Sequence, residues 1–119
     1  MVETPNDGLT HLRVTLSENA YIGPGRADLL ELIASTGSIS AAGKAMNMSY
    51  KRAWSLVQAL NDGFGAPLVE TSRGGSSQGG AGLTDAGKAV LAHDRSMQQK
   101  TRAAIAADFA AVSDMLAKK

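Results

Sequence analysis

Apolar and polar residues alternate first over a short stretch, where Leu12, Val14 and Leu16 are separated by Arg13 and Thr15. That two-residue period predicts a half-buried strand. Gly23, Pro24 and Gly25 then punctuate the chain. From Arg26 the period changes, with Leu29, Leu30 and Ile33 at helical spacing and Asp28 and Glu31 on the other side. Gly37 is placed to cap the end of that helix. A short helix follows over residues 40 to 46, opened by Ser38 or Ser40, whose side-chain oxygen can accept a free N–H. It is built from Ala41, Ala42, Ala45 and Met46, small enough in part to let a neighbouring helix approach closely. Only Asn47, Met48 and Ser49 part it from a third helix, which Ser49 caps and which runs to about Phe64. At about 100° per residue, Ala53, Leu56, Val57, Leu60 and Phe64 share one face of it. Lys51, Ser55, Gln58 and Asp62 centre on the opposite face, with Arg52 and Trp54 on the two flanks.

Leu68 to Ser72 reads as a strand, and the Gly- and Ser-rich segment from Gly74 to Gly82 as a loop. Leu83 is expected to begin the return strand, which makes a long hairpin with Arg73 near its base. Thr84 can cap the last element, with Asp85 in its first turn. No Gly or Pro follows Gly87, so residues 85 to 117 could form one helix of about 50 Å. Its distal part carries Ile105, Phe109, Val112 and Leu116, a spacing that resembles a coiled-coil seam. A seam on an overhanging helix needs another chain to cover it, which predicts a homodimer; folding back onto its own domain is the alternative. The expected fold is mainly α with a small β-hairpin, a winged helix-turn-helix followed by a long C-terminal helix. Residues 1–8 are expected to fray, 9–84 to form the winged helix-turn-helix domain and 85–119 the dimerisation helix.

Composition narrows the possibilities. The 119 residues suffice for one domain with its own core, and 44% apolar with 19% charged residues fits a folded globular chain. With no cysteine, disulfides and thiolate metal sites are excluded. No apolar run approaches the ~18 to 20 residues of a membrane span, and the polar start "MVETPNDG" is unlike a secretory signal, so a cytoplasmic protein is expected. Net charge is only +1, so affinity for an anion has to come from local placement. Between Gly37 and Gly82 that placement is cationic: Lys44, Lys51, Arg52 and Arg73 against Asp62 and Glu70. Lys51 and Arg52 stand at a helix N-terminus, where the dipole and free N–H groups are already positive. Their compensation is expected from outside the chain.

Helix, tight turn, helix with a basic start and Gly-rich hairpin together describe a winged helix-turn-helix. A major groove accepts one α-helix, whose first turn reaches base edges. Ser38, Ser40 and Lys44 fall where the preceding helix would cross the phosphate backbone. A wing of little side-chain bulk, with Gly74 and Gly75, can lie close to DNA while Arg73 supplies charge. Enzyme chemistry finds no support. His11 and His93 lie in different elements, paired catalytic carboxylates are lacking, and His93 with Asp94 has the wrong spacing for a metal. "GGSSQGGAG" lacks the Lys-Ser/Thr ending of a nucleotide loop. No cofactor is therefore expected. A winged helix that binds another protein, and an architectural DNA binder, are the competing readings.

Residues 29 to 91 also resemble the N-terminal domain of the molybdate-responsive ModE-type transcriptional regulators, most specifically at "GSIS.AA", "MSYKRAW", "LVE.SRGG" and "GLT..G". The first half resembles the DNA-binding domain of LysR-type regulators as well, while "SYKRAW" followed by "SRGG" points to the ModE type. The resemblance implies a winged-helix domain that dimerises through its N-terminal region and the long helix after the wing. It implies recognition positions at Ser49, Tyr50, Lys51, Arg52 and Ser55, and a wing from Arg73 through Gly80. Trp54 matches a family tryptophan and is expected at the edge of the core. ModE-type proteins continue into domains that bind molybdate between subunits. The sequence stops at Lys119, so molybdate sensing is not carried over, and either a stand-alone DNA-binding version or a fragment is expected.

Overall fold

A computed structural model describes residues 9, 11–72 and 80–117. The first two strands, β1 (Val14–Thr15) and β2 (Tyr21–Ile22), pair antiparallel with Val14 opposite Ile22. Helix α1 (Pro24–Thr36) begins directly after them. Pro24 opens it, since the first helical turn has no use for the missing N–H. The helix therefore starts two residues before the expected Arg26. Gly37 ends it in the left-handed region (φ 72°), donating its N–H to the Ile33 carbonyl. Helix α2 (Ile39–Ala45) is capped by Ser38, which accepts from the Ala41 N–H, and α3 (Tyr50–Gly63) by Ser49, which accepts from the Arg52 N–H. Between them Asn47 takes a positive φ of 58°, a conformation that Asn tolerates better than most residues.

The α2–α3 corner is tighter than the alanines alone suggested. Ala41 and Ala45 are exposed, and the close approach is made at Gly43, where an added Cβ would stand 2.7 Å from the Ala53 Cβ. The second hairpin pairs β3 (Val69–Ser72) with β4 (Gly80–Leu83), Val69 facing Leu83 and Ser72 facing Gly80. Leu83 thus ends the return strand instead of beginning it. Asn61 anchors this wing to α3: its Oδ1 accepts from the Leu68 and Val69 N–H groups and its Nδ2 donates to the Val69 carbonyl. The Ala81 N–H donates to the Gly37 carbonyl, which ties β4 to the end of α1. One core joins these elements, with Leu29, Leu30 and Ile33 of α1, Ala42 of α2, Val57 and Leu60 of α3, and Leu68 and Leu83 beside the wing.

Helix α4 (Asp85–Ser113) is capped by Thr84, which accepts from the Gly87 N–H. It packs against α1, where Arg95 pairs with Asp28 at 2.8 Å and with Glu31 at 3.3 Å. Asp94 is 1% exposed; Gln98 donates to its Oδ1 and also to the Leu12 carbonyl. Burial pushes the Asp94 carboxyl above the usual aspartate range, against the opposing pull of Gln98 and Arg95. Two expectations change here. Leu16 is 58% exposed, because the strand stops at Thr15 and the chain turns back through Leu16 and Ser17, whose N–H groups donate to Ala20. Leu116 lies beyond the end of α4, so the last step of the expected seam is outside the helix.

Candidate nucleic-acid interface

The first turn of α3 projects from the molecule. Tyr50, Lys51 and Arg52 are exposed, and so is Ser55 one turn on. The opposite face of the same helix is fixed by burial of Ala53, Val57 and Leu60, with Leu56 half-buried. The Ser49 side chain is committed as acceptor to the Arg52 N–H, and its hydroxyl proton remains available to donate. Among the described residues Lys44, Lys51 and Arg52 make no ion pair with a carboxylate. Three exposed cations on α2 and the first turn of α3, without counter-charge among the described residues, favour an anion.

Two concave surfaces flank α3. On one side, Ser38, Ser40, Tyr50, Trp54, Thr71 and Ala81 border a cleft of about 400 Å³ between α2, α3 and the wing strands. Tyr50 and Trp54 stand edge to face, with ring centroids 6.0 Å apart, and form the α3 wall of that cleft. Trp54 packs against the core, and its buried Nε1 lacks a hydrogen-bond partner among the described residues. Ser38 is held by its capping role, whereas Ser40 and Lys44 are exposed on α2. Arg52 lines the surface on the other flank, which faces the β1–β2 hairpin and the start of α1. The site therefore brings together Ser38, Ser40, Tyr50 and Trp54, and sets Arg52 apart from them. Arg73, Gly74 and Gly75, like the expected fraying of residues 1–8, lie outside the described residues.

Thr71, Ser72 and Ala81 were not foreseen as part of the cleft. Only the β3–β4 register brings them beside α2, and that register cannot be read from a Gly/Ser-rich hairpin. Among the described residues no His, Asp or Glu group could hold a metal ion, and no helix is long and apolar enough to cross a membrane.

Known proteins resemble this chain in sequence and fold. Residues 26–88 match the family described as bacterial regulatory helix-turn-helix protein, lysR family. The chain is 48% identical over 73 residues to the molybdenum-pterin-binding protein MopB of Rhodobacter capsulatus, covering 61% of this chain and 27% of MopB. It is 38% identical over 80 residues to the DNA-binding transcriptional dual regulator ModE of Escherichia coli K12, covering 67% of this chain and 30% of ModE. This chain spans under two fifths of the length of these curated relatives. Among solved structures, the CbnR_DBD–DNA complex superposes with a TM-score of 0.59 at 26% identity, over 74% of this chain and 95% of that one. A LysR family transcriptional regulator, VV2_1132, shares the fold at 22% identity and a TM-score of 0.57, over 77% of this chain and 30% of its own.

Proposed function

Because this chain belongs to the lysR family of bacterial regulatory helix-turn-helix proteins, we propose that it is a sequence-specific DNA-binding transcriptional regulator of the ModE type that reads its operator as a homodimer. The observation that carries this reading is the start of α3, where Lys51 and Arg52 are exposed at a helix N-terminus without a carboxylate partner among the described residues. A groove of DNA supplies the missing negative charge. Lys51 and Ser55, on the outward face of α3, meet base edges, with Ser49 and Tyr50 beside them at the helix entrance. Ser38, Ser40 and Lys44 on α2 meet phosphates, and Arg73 with Gly74 and Gly75 extends the contact along the wing. Residues 9–84 act as the reading unit.

The homodimer uses the distal part of α4. Val112 is 64% and Leu116 72% exposed, while Ile105 and Phe109 are half-buried, so an apolar strip remains for a partner. Two copies related by a two-fold axis would present two α3 helices to an inverted repeat. The molybdenum pterin after which MopB is named is a ligand of MopB.

The test is selection from a pool of random duplexes at two salt concentrations. An enriched inverted repeat with half-sites one helical turn or a multiple apart supports the proposal. Lys51→Ala should flatten the salt dependence by about one unit of slope for one lost phosphate contact, or relax the selected sequence if Lys51 touches a base. Salt-sensitive binding without enrichment would mean an architectural binder. Failure to bind any duplex would turn the surface into a protein-docking one.

A further inference from the structure

The flank of α3 that carries Arg52 holds a second cationic arrangement, built by the β1–β2 hairpin. The Arg13 Cζ stands 3.6 Å and the Arg26 Cζ 3.7 Å from the centroid of the Tyr21 ring. At that distance a guanidinium can lie only over a ring face, because the ring's own atoms block approach in the plane. Two guanidiniums over one face would overlap. Arg13 and Arg26 therefore bracket Tyr21, one on each face, with their charges roughly 7 Å apart. Stacking occupies the faces of the guanidiniums and leaves their edges, which carry the N–H donors, to other partners.

Those edges are underused. The Arg13 guanidinium has no hydrogen bond or ion pair among the described residues. Arg26 donates once, from Nη1 to the Tyr21 carbonyl at 3.4 Å, and its Nε is buried without a partner. Arg13, Tyr21, Arg26 and Arg52 line one concavity of about 450 Å³, in which Met46, Met48 and Leu56 supply apolar wall. Among the described residues that line it there is no carboxylate. Glu18 and Asp62 border the neighbouring concavity with Arg13 and Arg26, but neither comes within ion-pair distance of them. The N-terminus of α1 opens onto the same place, with no acidic residue in its first turn and no side-chain cap on Gly23. Like charges held this close repel one another, and a bound anion removes that penalty.

We propose that Arg13, Arg26 and Arg52 form a phosphate site for the DNA backbone that passes the β1–β2 hairpin. A helix in a major groove roughly 12 Å wide has a sugar-phosphate backbone on each side. The α2 and wing cleft lies on the Tyr50–Trp54 flank of α3 and meets one backbone. Arg52 with the Tyr21-bridged pair lies on the other flank and meets the second. The hairpin thus widens the footprint beyond the helix-turn-helix and sets the angle at which α3 enters the groove. Tyr21 is a positioning residue that holds two guanidiniums at a fixed spacing. The site rests on the DNA-binding reading given above. Free phosphate has the same chemistry, and the experiment separates the two sources.

On the selected duplex, affinity is measured against salt for the wild type, Arg13→Gln, Arg26→Gln and the charge-retaining Arg13→Lys. Each Gln variant is expected to lower the salt slope by about 0.9 for one lost phosphate contact, and Arg13→Lys to return most of it. Duplexes carrying one neutral methylphosphonate at successive positions then locate the contact. One flanking position should weaken the wild type and Lys51→Ala alike, yet leave Arg13→Gln unaffected. Wild-type slopes in both Gln variants, with melting temperatures equal to the wild type, would overturn the site. Inorganic phosphate that raises the melting temperature of the wild type and not of Arg13→Gln, with salt slopes unchanged, would assign the arginines to a free anion and overturn the DNA contact. Absence of any duplex binding by the wild type would bring down the regulator reading together with this one.

Discussion

Replacing Gly87 by alanine probes the joint between the wing and α4. Gly87 sits in the first turn of α4, and its missing side chain leaves room for the backbone entering β3. A Cβ at that position would overlap the Leu68 carbonyl oxygen and stand 3.0 Å from its carbon and 3.3 Å from its Cα. The obstacle is backbone, so no rotamer change relieves it. Retreat is also restricted. The Leu68 carbonyl accepts the Thr84 N–H at 3.0 Å, the Pro67 carbonyl accepts the Thr84 hydroxyl at 2.7 Å, and the Leu68 N–H is held by Asn61 at 2.8 Å.

Overpacking of this kind costs about 1–3 kcal/mol. Loosening one of the neighbouring hydrogen bonds adds about 1 kcal/mol. Against this, alanine is a better helix former than glycine by about 1 kcal/mol. The net expectation is a loss of about 1–3 kcal/mol, or roughly 5–15 °C in melting temperature for a domain of this size. Thermal melts followed by circular dichroism measure it directly. Gly25→Ala serves as the control, because a Cβ there meets nothing within 4 Å and should leave the melting temperature unchanged or slightly higher. A Gly87→Ala protein as stable as the wild type would refute the reasoning, since α4 and the wing would then move apart without resistance.

Two further perturbations address α4. Burial raises the Asp94 pKa above the ordinary 3.8, so the folded state holds the proton more tightly than the unfolded chain. Stability is then lost as pH rises from 3.8 through the raised folded value, and the loss persists above it. Asp94→Asn should raise the melting temperature at pH 7, with the gain shrinking as pH falls toward 3.8. Melts of both proteins from pH 4 to 8 check this, and a lower melting temperature for the variant at pH 7 would show that the Arg95 and Gln98 contacts outweigh desolvation. Phe109→Asp places a charge on the distal strip of α4 and should shift the mass measured by light scattering from dimer toward monomer. A mass that stays dimeric would move the interface elsewhere.

The helices were legible because their signals are local. Leu29, Leu30 and Ile33 mark the buried face of α1, Ser49 and Thr84 stand at the caps they make, and Gly37 takes the positive φ its position demanded. Contacts between distant segments were not. Gly43 reads along the sequence as a weak point in a short helix, and only the crossing of α2 with α3 turns it into a requirement. Asp94 lies in the polar stretch His93 to Ser96 and looks exposed; α1 and the segment at Leu12 bury it. Arg13 and Arg26 are unremarkable apart from each other; the β1–β2 turn brings Arg13 to Tyr21, and the start of α1 brings Arg26. Leu16 and Leu116 carried the right period but lie past the points where strand and helix stop.

Arg52 and Trp54 were placed on opposite flanks of α3 by helical geometry alone, and the structure gives those flanks different company. Trp54 closes against Tyr50 beside α2 and the wing, in a cleft whose described lining has hydroxyl groups and no formal charge. Arg52 opens toward Arg13 and Arg26. A helix seated between such surfaces is gripped differently on its two sides, with hydroxyl and backbone groups beside the charges of Lys44 and Arg73 on one and with a cluster of guanidiniums on the other. Hydroxyl contacts are short and directional, so they fix register; charge acts over several ångströms and tolerates small displacements. On this reading Lys51 and Ser55, midway between the flanks, are left to discriminate bases. The β1–β2 hairpin then acts from outside the helix-turn-helix, by deciding how firmly the guanidinium side is held.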